Sequence, residues 1–487
     1  MLNSASLSDL PVAVLGGGPI GLAAVAHLLE RGIPTVLLEA GASVGANLLE
    51  YRHVRLFSPW RYNIDPAMAR RLTRAGWVAP PPESLPLAFD VVAQVLEPFA
   101  NLAEVSRVLY LNTRVVSVSR DGFDKVKSAG RSHSPFVVDA LCDGTPRQLR
   151  ARVVIDATGT WSFPNPIGSN GVPALGEQAH ASRIFHGIPD VLGVHRTRYL
   201  GKKTLVVGSG HSAANALLAL AELAAAEPAT RLLWAVRSPS LERVFGGGSA
   251  DALPARGELG MSLQALRSSG AIEYYGGLRI GELRSVGNQL VVIGVDADNR
   301  PVEVAGIDEI ICATGQRPDL SLTRELRVRL DPALESTEAL GPLIDPNVHS
   351  CGTVRPHGHR ELAHPEPGLY TVGVKSYGRA PTFLMATGFE QVRSVVAALA
   401  GDMEAADRVE LDLPETGVCS TTPSSSEKAK GGCCTPFPDA SEATACCAEA
   451  KSVDGAKPSA CCTPAEKAAS HTPPGARKPC RTCSRRA

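Results

Sequence analysis

Residues 11–39 open with the apolar run PVAVL, turn through GGG, continue as PIGLAAVAHLLERG with apolar positions at helical spacing, and close with a second apolar run, IPTVLLEAG. A buried strand, a tight turn, a helix and a strand in that order predict one βαβ unit. The pattern returns at 203–237 as KTLVVGSG, HSAANALLALAELAAA and RLLWAVR. The two units stand about 190 residues apart with unlike sequence between them, which predicts two nucleotide-type folds and not a short-period repeat.

Between them, VLYLNTRVVSVSR (108–120), PFVVDALC (135–142) and LRARVVIDATG (149–159) read as strands, and DEIICATGQRPD (308–319) as a further strand ending in Ala-Thr-Gly. Strands ending in ATG thus bracket the second unit on both sides, so it is expected to be inserted into the first. Residues 369–401 read strand, loop, helix, with Gly401 as the helix stop. From about Pro414 the chain turns to Ser, Thr, Ala, Lys, Pro and paired Cys. Such a segment has too little apolar surface to fold alone and is expected to be disordered.

Lys plus Arg and Asp plus Glu are equal at 49 each, so no global field gathers nucleic acid or acidic lipid, and any anion site must be local. The segment Met1–Pro11 lacks the basic start of a signal peptide, and no window supplies the roughly 20 apolar residues of a membrane span. A cytoplasmic protein is expected. Cysteines divide the chain: Cys142, Cys312 and Cys351 precede residue 418, and nine more follow from Cys419. In a reducing compartment a thiol-rich tail favours metal or redox chemistry over structural disulfides.

Gly16, Gly18 and Gly21 form G-x-G-x-x-G between a strand and a helix. The first glycine permits the turn, the second lets backbone approach a pyrophosphate, and the third allows close helix packing, while the helix N-terminus attracts the anion. Glu39 ends the next strand, where a carboxylate can accept hydrogen bonds from a ribose diol. Gly208, Gly210 and Ala213 repeat the logic with Ser212 beside them, but there the next strand ends in Arg237. A guanidinium suits a 2′-phosphate, so this site should prefer NADPH to NADH; the alternative is a solvated strand end.

With Asp156-Ala157-Thr158-Gly159 and Ala313-Thr314-Gly315, both glycine motifs resemble those of the flavin-containing monooxygenase superfamily, over residues 8–400. Phe185, Gly187, His195 and Tyr199 resemble its F-x-G-x-x-x-H-x-x-x-Y fingerprint, with four extra residues between Gly187 and His195. The resemblance implies an α/β fold of two Rossmann-type domains. FAD would occupy residues 1–198 and 306–405, NADPH an inserted domain at 199–305, and the Cys-rich tail 416–487. It adds Gly159, Gly315, Gly373 and Thr382 to the cofactor-binding residues, and implies a helix N-terminus at Ala380-Pro381-Thr382 facing the flavin ring. HVRLFSPWRYN (53–63), DPNVHSCGTVRPHG (345–358), KSYGRAPTFLMATGFEQVR (375–393) and the tail resemble more closely the flavin-dependent oxidoreductases of arsenic-resistance gene clusters. Candidates beside flavin or substrate are Ser58, Trp60, Arg61, Tyr377 and Arg379, each equally a packing or loop residue.

Residues 143–311 contain no cysteine, and none precedes Cys142, so the dithiol of a thioredoxin-reductase mechanism is not expected. Electrons should pass from NADPH to FAD and on to a bound oxidant, with O2 foremost. A soft nucleophile such as trivalent arsenic, as arsenite or methylarsenite, is the expected substrate. His349, Cys351, His357, His359 and His364 suit a transition metal only loosely and read better as a histidine-rich surface loop. In the tail, Cys433-Cys434, Cys446-Cys447, Cys461-Cys462 and Cys480-x-x-Cys483 could gather soft thiolates around a thiophilic ion. Redox buffering or a thiol shuttle are the alternatives. Two other functions stay open: a reductase passing electrons to thiols or a metal ion, and a non-catalytic metalloid-binding protein.

Overall fold

The computed structural model describes residues 6–348, 357–381 and 383–411. His349, Cys351, Thr382 and every cysteine of the tail lie outside the described residues. The strands run β1 (Val12–Leu15), β2 (Thr35–Leu38), β3 (Leu109–Tyr110), β4 (Thr113–Arg120), β5 (Phe136–Cys142), β6 (Thr145–Ala151), β7 (Val153–Asp156) and β8 (Ile184–His186). They continue as β9 (Lys203–Val207), β10 (Arg231–Val236), β11 (Ile272–Gly276), β12 (Arg279–Val286), β13 (Gln289–Val295), β14 (Pro301–Ile307), β15 (Glu309–Cys312) and β16 (Leu369–Thr371). The longer helices are α1 (Pro19–Glu30), α2 (Pro66–Arg74), α3 (His211–Ala226), α4 (Pro254–Ser268) and α5 (Met385–Leu399).

Two parallel five-stranded sheets repeat one plan. The first has the order β16-β7-β1-β2-β3 and the second β11-β10-β9-β15-β8. In each, the strand before the glycine turn is central, flanked on one side by the strand after the first helix and on the other by an ATG-ended strand. Each domain also carries a three-stranded antiparallel sheet, β4-β5-β6 or β12-β13-β14. The expected α/β architecture of two Rossmann-type domains, one inserted in the other, is what the chain adopts.

The domain boundaries differ from expectation. β8 and β15 lie outside 199–305, yet both belong to the second sheet, where Ile310 pairs with Ile184 on one side and Leu205 on the other. Two expected strands also divide. Asn112, at φ 48°, turns the chain between β3 and β4, and β6 and β7 join different sheets. A continuous apolar run does not reveal where a strand passes from one sheet to the next.

The first domain's core is built on α1, which is buried from Ile20 to Leu28 because its sequence is apolar on every side. It packs between α2 and α5, and burying a side chain such as Leu22 or Leu28 contributes roughly 1.5–3 kcal/mol. Asp65 caps α2 by accepting from Ala67 N and Met68 N, both at 2.9 Å, and its other oxygen meets His27 Nε2 on α1 at 3.1 Å. Among the described residues no helix is long and apolar enough to cross a membrane.

Candidate functional site

The first glycine of each motif is required by the ATG strand beside it. Gly16 has φ +97° and Gly208 φ +134°; a Cβ would meet the carbonyl of Ala157 in the first domain and of Ala313 in the second. The two ATG segments are therefore walls of the two turns. Gly21 faces the Gly16 carbonyl, which leaves no room for a side chain where α1 leaves the turn. The second glycines differ: around Gly18 and Gly210 a Cβ would meet nothing within 4 Å. The backbone at the start of α1 and of α3 thus borders open space, the condition for a pyrophosphate to approach.

At the end of β2 the Glu39 carboxylate accepts from Gly17 N and Gly41 N, which fixes it beside the glycine turn. At the end of β10 the exposed Arg237 donates to Ser169 O at 3.2 Å, and among the described residues it forms no ion pair. The exposed Arg379 guanidinium approaches the same loop at Gly171, about 3.8 Å from where a Cβ would stand. Trp234 on β10 donates to Gly208 O at 2.8 Å and so holds the second turn from below. One domain presents an acid at the strand end and the other a base, as the sequence predicts. A Cβ on Gly159 would stand 3.9 Å from Val374 and one on Gly373 3.3 Å from Ile20, so both lie beside the first glycine turn; one on Gly315 would stand 3.5 Å from Asn165 in the second domain.

The other candidates have mixed surroundings. Ser58 donates to Asn63 Oδ1 at 3.0 Å, and Asn63 Nδ2 returns to Ser58 O at 2.7 Å. Trp60 is buried in the first domain's core, and Arg61 pairs with Glu83 at the surface. Tyr377 is buried against His357 and Phe383, and that burial raises its phenol pKa. The helix expected to begin near Ala380 begins at Met385 instead. Arg379 N–H donates to Leu334 O at 2.6 Å and Ala380 N–H to Tyr377 O at 3.0 Å, so this stretch is held as a loop.

Of the expected histidine-rich surface loop, His357, His359 and His364 fall among the described residues, and two of the three are buried. His357 and His364 are buried, His357 against Gln391 and His364 against Thr371 Oγ1 at 2.9 Å, while His359 bonds Asp407. Burial pushes the His364 pKa down to about 4, which keeps it neutral. Each ring has a different partner, and no group of metal-ligating side chains occurs among the described residues. In the fingerprint segment, Asp190 accepts from Gly193 N and Val194 N, so the extra residues form a turn that returns His195 to Phe185, ring to ring at 4.9 Å. Tyr199 is fully buried.

Several neighbours of the site escaped the motifs. Lys375 reaches Asp156 and Thr158 across the first ATG turn, Tyr51 and Trp161 pack 4.5 Å apart, and Phe57 of the first domain meets His211 at the start of α3 at 4.9 Å. His211 lies inside the second glycine motif, the one local signal among them; the rest are paired only by the fold.

Comparison by sequence finds no family description and no curated protein that matches the chain. Solved structures do match in fold. The bacillithiol disulfide reductase Bdr from Bacillus cereus aligns at TM-score 0.57 and 20% identity, over 80% of this chain and 99% of its own. DfoA bound to FAD, the cadaverine monooxygenase of desferrioxamine biosynthesis from Erwinia amylovora, aligns at TM-score 0.56 and 14% identity, covering 86% and 99%. A flavin monooxygenase from Stenotrophomonas maltophilia, a double mutant, aligns at TM-score 0.50 and 22% identity, covering 80% and 98%. The chain has the fold of two-dinucleotide-domain flavoproteins. At these identities the likeness is one of fold, and it spans both domains.

Proposed function

We propose that the chain is an NADPH-dependent FAD oxidoreductase of the monooxygenase type that oxidises a small soft nucleophile, a trivalent arsenical. The observation that carries the cofactor assignment is the doubled glycine turn, open at Gly18 and Gly210, with Glu39 beside one and Arg237 beside the other. Glu39 suits the ribose hydroxyls of FAD and Arg237 the 2′-phosphate of NADPH. The starts of α1 and α3 would hold the pyrophosphates. FAD, when bound, supplies the capacity to take two electrons from NADPH and pass them to O2.

The cysteines support O2 as the oxidant. Among the described residues Cys142 and Cys312 are both free, and they lie in different sheets. Burial pushes the Cys312 thiol up to about 11, so it stays protonated and unreactive. The DfoA and Stenotrophomonas monooxygenases share the fold, as does the Bdr reductase, so the fold accommodates this reaction class without selecting it. The arsenical rests on sequence alone: the arsenic-cluster resemblance and the paired tail thiols Cys433-Cys434, Cys446-Cys447 and Cys461-Cys462. The balanced reaction takes one NADPH, one proton, O2 and the trivalent arsenical to NADP⁺, water and the pentavalent oxide.

The test is NADPH consumption by the purified yellow protein in air, with and without arsenite or methylarsenite, while the pentavalent product is quantified. Product in step with NADPH is expected, and it should survive deletion of residues 416–487. Activity lost with that deletion would favour electron transfer to thiols. Stoichiometric arsenite binding without turnover would favour a binding protein.

A further inference from the structure

Gln391 on α5 is completely buried and engaged on three sides. Its Oε1 accepts from Gly373 N at 2.7 Å; its Nε2 lies 2.9 Å from Ser376 Oγ and 2.8 Å from His357 Nε2. A backbone N–H can only donate, so the atom facing Gly373 is the amide oxygen, and the amide nitrogen faces the serine and the histidine. Ser376 Oγ accepts there and donates onward to Gly373 O at 2.7 Å. His357 must accept as well. Its Nε2 therefore carries a lone pair, and the ring is neutral with its proton on Nδ1.

The turn held in this way, Gly373–Tyr377, faces the first glycine motif. A Cβ on Gly373 would stand 3.3 Å from Ile20 at the start of α1 and one on Gly159 3.9 Å from Val374, so the backbones lie close, and Lys375 reaches Asp156 and Thr158. Lys375 ties the turn to the ATG segment, and Gln391 ties it to α5. On its other side His357 borders a cavity of about 290 Å³, lined also by His359, Arg360, Glu361, Glu390, Asp407 and Arg408. Asp407 is shared by His359 and Arg360, and Glu390 is held by Arg393. The Tyr377 ring lies 5.5 Å from that of His357.

We propose that Gln391 is a positioning residue for the flavin-facing turn and that it works only while His357 is unprotonated. This rests on the FAD reading of the first domain. A second proton on His357 would set an N–H against the Gln391 amide N–H₂. The amide must then rotate or withdraw, and the buried Gly373 N–H loses its acceptor. Protons admitted through the cavity are thereby coupled to the geometry of the turn.

The experiment is anaerobic stopped-flow reduction of the bound FAD by NADPH, across pH, in the full-length protein. The limiting rate of the native protein should fall as pH drops through the histidine range. His357→Gln, which offers an amide oxygen that cannot titrate there, should flatten that fall. Gln391→Glu should flatten it too, because a carboxylate accepts from protonated His357. Gln391→Leu should lower the limiting rate about 10- to 100-fold at every pH, leave the apparent Kd for NADPH unchanged, and shift the flavin absorption band. A His357→Gln protein that keeps the native acid limb would overturn the proposal even if Gln391→Leu proves insoluble. So would flavin-loaded Gln391→Leu with the native rate and spectrum. Native protein that neither carries nor binds FAD would instead sink the underlying cofactor reading.

Discussion

Lys375 Nζ stands 2.6 Å from Asp156 Oδ2, with both side chains almost wholly withdrawn from solvent and the two residues 219 positions apart in the chain. Thr158 completes the arrangement, accepting from Lys375 at 2.9 Å and donating from both its N–H and its hydroxyl to the other Asp156 oxygen. Losing one member of a buried pair strands the other charge at a cost of about 3–5 kcal/mol, whereas removing both costs much less. Lys375→Met should therefore unfold at markedly lower denaturant and lose FAD readily. Lys375→Met with Asp156→Asn should recover most of the stability, read by urea melts. Equal losses in the two would show that the pair is not coupled.

A second buried cluster predicts how stability follows pH. Glu366 receives Arg120 Nε at 2.8 Å, Arg131 Nη2 at 2.8 Å and Arg327 N at 3.0 Å. Burial alone would raise its pKa, but the bonds from Arg131, the Arg327 backbone and Arg120 outweigh it and leave the group below its ordinary 4.5. A carboxylate depressed in the folded state contributes stability above its unfolded pKa and loses it as pH falls through the folded one. The stability gap between the native protein and Glu366→Gln should be full at neutral pH and shrink as pH drops below about 4.5. A gap that stays constant to pH 3 or lower would remove this carboxylate from the acid response.

What could be read in advance was local. Gly16, Gly18 and Gly21 each answer a need set within a few residues, and Glu39 and Arg237 follow from where a strand must end. Sheet membership depends on partners far along the chain, so the three-residue β8 and the change of sheet between β6 and β7 were not legible. Neither were Lys375 or Gln391, whose amine and amide resemble any surface polar group until the fold supplies Asp156 and Gly373. The start of α5 was misplaced because the family resemblance sets it at Ala380-Pro381-Thr382, while the tie from Arg379 N to Leu334 O cannot be seen in the local sequence.

Arg237 separates the two nicotinamide cofactors. It is exposed and, among the described residues, its side chain bonds only to a carbonyl, so its removal should leave folding unchanged. A charge-assisted phosphate contact contributes about 1.5–3 kcal/mol, so Arg237→Ala should raise KM for NADPH about ten- to hundredfold and leave that for NADH nearly unaltered. Steady-state rates with both cofactors decide it. Equal losses would remove the 2′-phosphate role, and Arg379, at the same loop, would be the next guanidinium to substitute.

The glycines offer the sharpest separation of structure from binding. Gly16 and Gly208 abut backbone carbonyls, so alanine at either must displace an ATG segment and destabilise its domain. Gly18 has φ −79° and Gly210 φ −93°, ordinary values for any residue, and a methyl group at either meets no protein atom within 4 Å. Alanine there should therefore leave the melting temperature unchanged while occupying the space a pyrophosphate needs. Gly18→Ala should emerge folded but depleted of flavin. Gly210→Ala should keep its flavin, bind NADPH weakly and show slow NADPH oxidation. Circular dichroism melts beside flavin-to-protein ratios test this directly, and if Gly18→Ala kept native FAD content and affinity, the pyrophosphate would have to pass elsewhere than the start of α1.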